Sequence, residues 1–137
     1  MIPNLDASAL RAALLYAALL ILMLLPLTAA VIVRRLGRKI GIGDGGDRDM
    51  ARLVRVHGNF AETAPFGIAM LFALALSGAG PLLVHALGAG FLAGRLAHAQ
   101  GLSAGAGASP GRTAGMVLTL SALACGALAV LWRLAFA

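Results

Sequence analysis

The stretch that decides the fold is residues 52–65, Arg52-Leu53-Val54-Arg55-Val56-His57-Gly58-Asn59-Phe60-Ala61-Glu62-Thr63-Ala64-Pro65. It opens an apolar segment that runs on to Ser77. On a helix at about 100° per residue, Arg52, Arg55, Asn59 and Glu62 fall within roughly 80° of one another, and His57 points nearly the opposite way. One face thus carries two guanidiniums, an amide and the only glutamate of the chain. A charge near the middle of a bilayer costs roughly 2.5–3.5 kcal/mol on the most forgiving scale, so such groups face the protein interior or a wet cavity. Two readings stay open. Glu62 pairs with an arginine on a neighbouring helix and ties the bundle together, or the stripe lines a polar ligand site that opens at the membrane surface. Two arginines, an amide and a carboxylate exceed what one structural ion pair needs, which favours the ligand site.

Outside this stretch the chain is mostly apolar. Of 137 residues 61% are hydrophobic and mean hydropathy is +0.94, far outside the range of soluble globular proteins. Residues 12–33 are 22 residues without a charge, enough to span about 30 Å of hydrocarbon. That run is long for a signal peptide, and Pro26 is placed to kink it. Residues 41–49, Gly-Ile-Gly-Asp-Gly-Gly-Asp-Arg-Asp, form a turn region. No strand precedes them and no Lys-Ser/Thr follows, which excludes a phosphate loop. Asp47 or Asp49 suits the cap of the next helix. The expected architecture is all-α and integral to the membrane. One domain spans 1–137, a left-handed up-down bundle of four transmembrane helices at about 10–34, 49–77, 81–102 and 112–133. Pro81 suits a first helical turn, residues 103–111 read as a small-residue loop, and Trp132-Arg133 reads as an interface anchor.

The net charge of +6 does not point to nucleic acid. Seven of the eleven basic residues, Arg34, Arg35, Arg38, Lys39, Arg48, Arg52 and Arg55, lie between or at the ends of the first two apolar segments. Arg95 and Arg112 flank the loop between the third and fourth. The positive-inside rule places both loops in the cytoplasm and both termini outside. The stripe of the second helix, Arg95 and His98 of the third, and Arg112 of the fourth then reach one level at the cytoplasmic side. Arg95 and His98 lie about 60° apart on their wheel. His98 suits a polar lining group or a proton carrier, while His57 and His85 read as structural. No histidines have the spacing and acid partners of a metal site. Cys125, the only cysteine, reads as a small packing residue. Gly88, Gly90, Gly94, Gly115 and Gly126 allow close helix approach, within the subunit or between subunits.

At these residues the chain resembles the MAPEG family, membrane-associated proteins in eicosanoid and glutathione metabolism. The resemblance rests on Arg55-x-His57-x-Asn59-x-x-Glu62-x-x-Pro65 and on Gly94-Arg95-x-x-His98-x-x-Gly101. Gly43-Asp44-Gly45-Gly46 is similar to the bacterial inner-membrane branch. The resemblance implies a homotrimer in the bacterial inner membrane, with glutathione bound between subunits near the cytoplasmic face. It implies glutathione contacts for Arg55, Asn59, Glu62 and Arg95. Arg112 lies near the place where some members keep an arginine that stabilises the thiolate. Thr63, His98 and Leu102 stand where eukaryotic members often carry tyrosines.

The chemistry of glutathione suits this set. Arginines bind carboxylates through paired, charge-assisted hydrogen bonds; Glu62 suits the ammonium, and Asn59 both donates and accepts. Lowering a thiol from about 8.5 by about two pKa units takes roughly 2.7 kcal/mol of thiolate stabilisation, within the reach of one arginine in a dry site. Arg112 is expected in the catalytic role, and Arg52, Arg55, Asn59, Glu62, Arg95 and His98 in the binding role. The expected function is a glutathione-dependent transferase or peroxidase acting on a hydrophobic small molecule that enters from the membrane lipids. The alternative is a non-catalytic protein that binds a lipid or amphiphile in the same pocket. A small four-helix exporter ranks last, because those usually place their membrane glutamate in the first helix.

Overall fold

The computed structural model describes residues 6–104 and 109–136. Four helices account for nearly all of them: α1 (Ala7–Arg38), α2 (Arg48–Leu76), α3 (Pro81–Ser103) and α4 (Pro110–Phe136). Each is long and apolar enough to cross a membrane. The helices fall where the sequence places them, but α1 and α4 run on past their apolar cores at both ends. Capping rather than hydropathy sets the ends of α1. Asp6 Oδ1 accepts from Ser8 N at 2.8 Å to start α1. Lys39, left-handed at φ 55, closes it, and Ile40 N donates back to Arg35 O at 3.1 Å, the bond pattern of a Schellman stop. Part of the expected loop at 103–111 lies outside the described residues; the part described is helical as far as Ser103 and again from Pro110.

α2 and α3 are central. α1 packs on both from one side, α4 packs on both from the other, and α1 and α4 do not touch among the described residues. The tightest crossing joins α3 to α4 and depends on glycine. A Cβ at Gly115 would stand 2.4 Å from His98 N and 2.6 Å from Gly94 O. A Cβ at Gly101 would stand 2.4 Å from Arg112 N. The two backbones therefore touch, and the first turn of α4 is brought against the last turns of α3. Gly88 lies against the Tyr16 ring and Gly126 against Met70, so these small residues serve packing within the subunit. A Cβ at Gly90 would meet nothing within 4 Å beyond its own helix.

Basic residues at the end of α1 hold the first loop. Arg34 Nη2 lies 2.8 Å from Asp47 and 3.1 Å from Asp49, and Arg38 Nε lies 3.3 Å from Asp47. Of the two possible caps for α2 the structure uses Asp47, whose Oδ1 accepts from Asp49 N at 2.9 Å and Met50 N at 3.0 Å. The Arg34 guanidinium and the Met50 N–H hold its carboxyl at about 2, below the ordinary 3.8. At the other end of the bundle Arg133 does more than mark an interface. Its Nε donates to Ser77 O at 2.9 Å, and its Nη2 donates to Gly78 O. A cation thus meets the free carbonyls where α2 stops.

Candidate functional site

Two cavities open side by side at the Arg34–Arg112 end of the bundle. The first, about 460 Å³, is lined by Arg55 and Asn59 of α2, His98 and Leu102 of α3, and Arg112 and Met116 of α4. The second, about 320 Å³, is lined by Gly43 and Asp44 of the loop and by Ala51, Arg55, Gly58 and Glu62 of α2. Arg55 belongs to both. The polar stripe of α2 is therefore divided: Asn59 faces Arg112 and His98 on one side of Arg55, and Glu62 faces Asp44 on the other.

The expected site residues do not all reach these walls. Arg52 is bound by Asp49 one turn earlier, and its Nη1 donates to Ser103 O at 3.4 Å. It ties the start of α2 to the end of α3. Arg95 is 1% exposed and lies behind the wall, where its Nη1 donates to Asn59 Oδ1 at 3.1 Å and to Thr63 Oγ1. It fixes Asn59 from the protein side. Its Nε is buried without a partner among the described residues. His98 Nδ1 lies 3.1 Å from the Arg112 carbonyl, and its buried Nε2 has no partner there either. Glu62 is exposed and makes no ion pair or hydrogen bond among the described residues, so the ion pair within the subunit, one of its two readings, is not formed there.

His57 and His85 both hold α1. His57 Nε2 lies 3.1 Å from Thr28 Oγ1 of α1, and His85 Nδ1 lies 3.2 Å from Tyr16 Oη. Among the described residues no three metal-binding side chains gather. Sequence reasoning missed three contributors. Asp44 was visible as a turn residue and as part of the Gly43–Gly46 motif but not as part of a cavity wall, because nothing in a helical wheel shows that the loop folds back over α2. Thr63 stood out only as a missing tyrosine, whereas its hydroxyl is a partner of Arg95. Leu102, named only for the same reason, is a buried part of the first cavity wall.

The chain matches the MAPEG family over residues 13–132. It belongs to that family. This MAPEG chain is similar to the inner membrane protein YecN of Escherichia coli strain K12, 35% identical over 118 residues that make up 86% of this chain and 88% of that protein. YecN of Escherichia coli O6:H1 matches with the same figures. Four helices of spanning length and an inner-membrane relative make this MAPEG protein a multi-pass protein of the inner membrane. Both sequence motifs of the resemblance, around Asn59 and around His98, lie in the matched region and meet at the first cavity.

Proposed function

We propose that this MAPEG protein is a glutathione-dependent transferase or peroxidase for hydrophobic electrophiles. The observation that carries the reading is Arg55 as the shared wall of two cavities, with Glu62, unpartnered among the described residues, in one and Arg112 in the other. Glutathione carries two carboxylates, an ammonium and a thiol, too many groups for either cavity alone. Laid across Arg55, it meets guanidiniums for its carboxylates, Asn59 as a donor, and Glu62 for its ammonium. Its sulfur then lies on the Arg112 side, where one guanidinium stabilises a thiolate. Met116, Val117 and Leu102 give that side an apolar flank for an electrophile arriving from the lipid.

An exposed carboxylate on a membrane helix needs cover. A homotrimer supplies it if a neighbouring subunit closes the Glu62 side. The basic loop between α1 and α2 faces the cytoplasm in this arrangement, and a reporter fused after α4 reads as non-cytoplasmic. The function is tested by titrating purified protein with glutathione, then by assaying conjugation to a generic aromatic electrophile. Non-catalytic binding of an amphiphile is the second reading. One observation favours it: no tyrosine hydroxyl lines either cavity, and the only tyrosine, Tyr16, is held by His85.

A further inference from the structure

The four basic residues that end α1 divide into two pairs. Arg34 and Arg38 turn to the first loop, where Asp47 and Asp49 meet them. Arg35 and Lys39 have no carboxylate within ion-pair distance among the described residues. Both line a cavity of about 490 Å³ whose other walls are Ile32, Leu36, Ile40 and Gly41. No residue of α2, α3 or α4 is among them, and Ile32 and Leu36 are exposed. The cavity thus lies on the face of α1 turned from the bundle. Ile32, Arg35, Leu36 and Lys39 are spaced i, i+3, i+4 and i+7, which is one face of a helix. At 1.5 Å per residue Ile32 lies roughly 10 Å deeper than Lys39. Ile32 belongs to the uncharged run of residues 12–33, and Lys39 lies beyond it. The headgroup layer is roughly 5–8 Å thick on each side of the hydrocarbon, so the cavity reaches from headgroup level into the acyl region.

Lys39 occupies a position that favours glycine. α1 and α2 stop alike: Ile40 N donates to Arg35 O and Lys39 N to Leu36 O, as Ala79 N donates to Leu74 O and Gly78 N to Ala75 O. Each stop needs a left-handed residue. α2 uses Gly78 at φ 79, whereas α1 uses Lys39 at φ 55, the one non-glycine residue with positive φ among the described residues. Glycine takes that backbone freely and a residue with a Cβ does not. The stop alone therefore favours glycine, and lysine in its place sets an ammonium beside Arg35. Arg35 is itself anchored, because its Nη1 donates to Gly41 O at 3.2 Å, and its other N–H groups are left for an anion.

We propose that this cavity binds an anionic phospholipid, its headgroup phosphate between Arg35 and Lys39 and one acyl chain against Ile32 and Leu36. Arg35 offers paired donors to phosphate oxygens, and Lys39 offers a point charge. A free anion would match the cations and leave the aliphatic wall uncovered, whereas a lipid covers both. The cavity shares no residue with the two that Arg55 joins, so the proposal does not depend on glutathione.

The test uses the full-length protein in nonionic detergent at low salt and neutral pH, titrated with phosphatidylglycerol or phosphatidylcholine. Binding is read by native mass spectrometry, and thermal unfolding is recorded on the same samples. Each cation near the surface is worth about fivefold toward an anionic lipid, so wild type is expected to prefer phosphatidylglycerol roughly thirtyfold. Arg35→Gln and Lys39→Gly are each expected to lose about fivefold of that preference. Without added lipid, Lys39→Gly is expected to melt no lower than wild type, because glycine suits the left-handed stop. A lysine that served only the helix dipole would give the reverse, a lower melting temperature with the preference intact, and that result overturns the proposal. Arg48, the first residue of α2, lines no part of the cavity, and Arg48→Gln is expected to keep the full preference. Equal binding of the two lipids by wild type overturns the proposal. So does an equal loss in Arg48→Gln, which makes the preference a diffuse charge effect, or displacement of the lipid by inorganic phosphate at the same concentration, which makes the site one for free anions. A Lys39→Gly protein that changes its oligomeric state and keeps its lipid preference overturns it in favour of a second copy of the chain on this face. If Arg35→Gln does not fold, Lys39→Gly decides alone.

Discussion

Arg95 Nη1 donates to Asn59 Oδ1 across 3.1 Å, and this buried guanidinium makes no ion pair with a carboxylate among the described residues. Its bonds run to neutral groups, Asn59 and Thr63. Hydrogen bonds to a charged group are worth about 1.5–3 kcal/mol, while desolvating an ion costs several kcal/mol. The two effects oppose one another in the fold. Arg95→Met is therefore expected to shift the melting temperature little, by less than about 1 kcal/mol of stability. It frees the Asn59 amide to rotate and is expected to weaken glutathione binding about tenfold. Calorimetry and thermal denaturation of the same sample check both halves.

The α3–α4 crossing has no room for a methyl group at Gly115. All three obstructing atoms, His98 N, His98 Cα and Gly94 O, are backbone atoms, so a whole helix must move. Gly115→Ala is expected to destabilise by about 1–3 kcal/mol, as overpacking does, and to loosen the bond between His98 and the Arg112 carbonyl. Gly90→Ala is the matched control. A Cβ at that position would meet nothing within 4 Å beyond its own helix in the subunit, and the gain in helix preference is about 0.5–1 kcal/mol. Thermal unfolding in detergent compares the two. A Gly90→Ala protein that loses its oligomer would assign that face to a subunit contact.

Asp47 gives the protein an acid-sensitive clamp. Its carboxyl is held at about 2 in the fold against an ordinary 3.8. A lowered value means that the stabilisation is complete above about pH 3.8 and is lost as the pH falls through about 2. Wild type is expected to be more stable than Asp47→Asn at neutral pH, and the gap is expected to close over that window. Thermal unfolding of both proteins from pH 6 downward follows the convergence.

The number and order of the helices were legible because uncharged runs of spanning length leave a chain little choice. The caps that lengthen α1 were less so, since they depend on local hydrogen bonds. For the site, the helical wheel showed which face of α2 is polar but not which partner reaches each group first. Arg52 shares that face with Arg55, yet Asp49 on the preceding turn and the end of α3 take it. Arg95 was legible as inward-facing, but only packing shows that Asn59 and Thr63 lie between it and the cavity. The division of the stripe at Arg55 depends on the loop carrying Asp44 and on the first turn of α4, and both are placed by contacts distant in sequence. Arg133 read as an interface anchor because its carbonyl partners lie at Ser77 and Gly78.

The central claim is that glutathione bridges the two cavities with its ammonium at Glu62. The most direct measurement is a calorimetric titration of purified wild type and Glu62→Gln with glutathione and with N-acetylated glutathione, which lacks the ammonium. Wild type is expected to bind glutathione, and Glu62→Gln to lose about 1.5–3 kcal/mol, roughly ten- to a hundredfold in affinity. The acetylated ligand is expected to bind both proteins equally weakly, and both are expected to melt at similar temperatures. No heat from glutathione in the wild type, or equal glutathione affinity in the two proteins, would contradict the account.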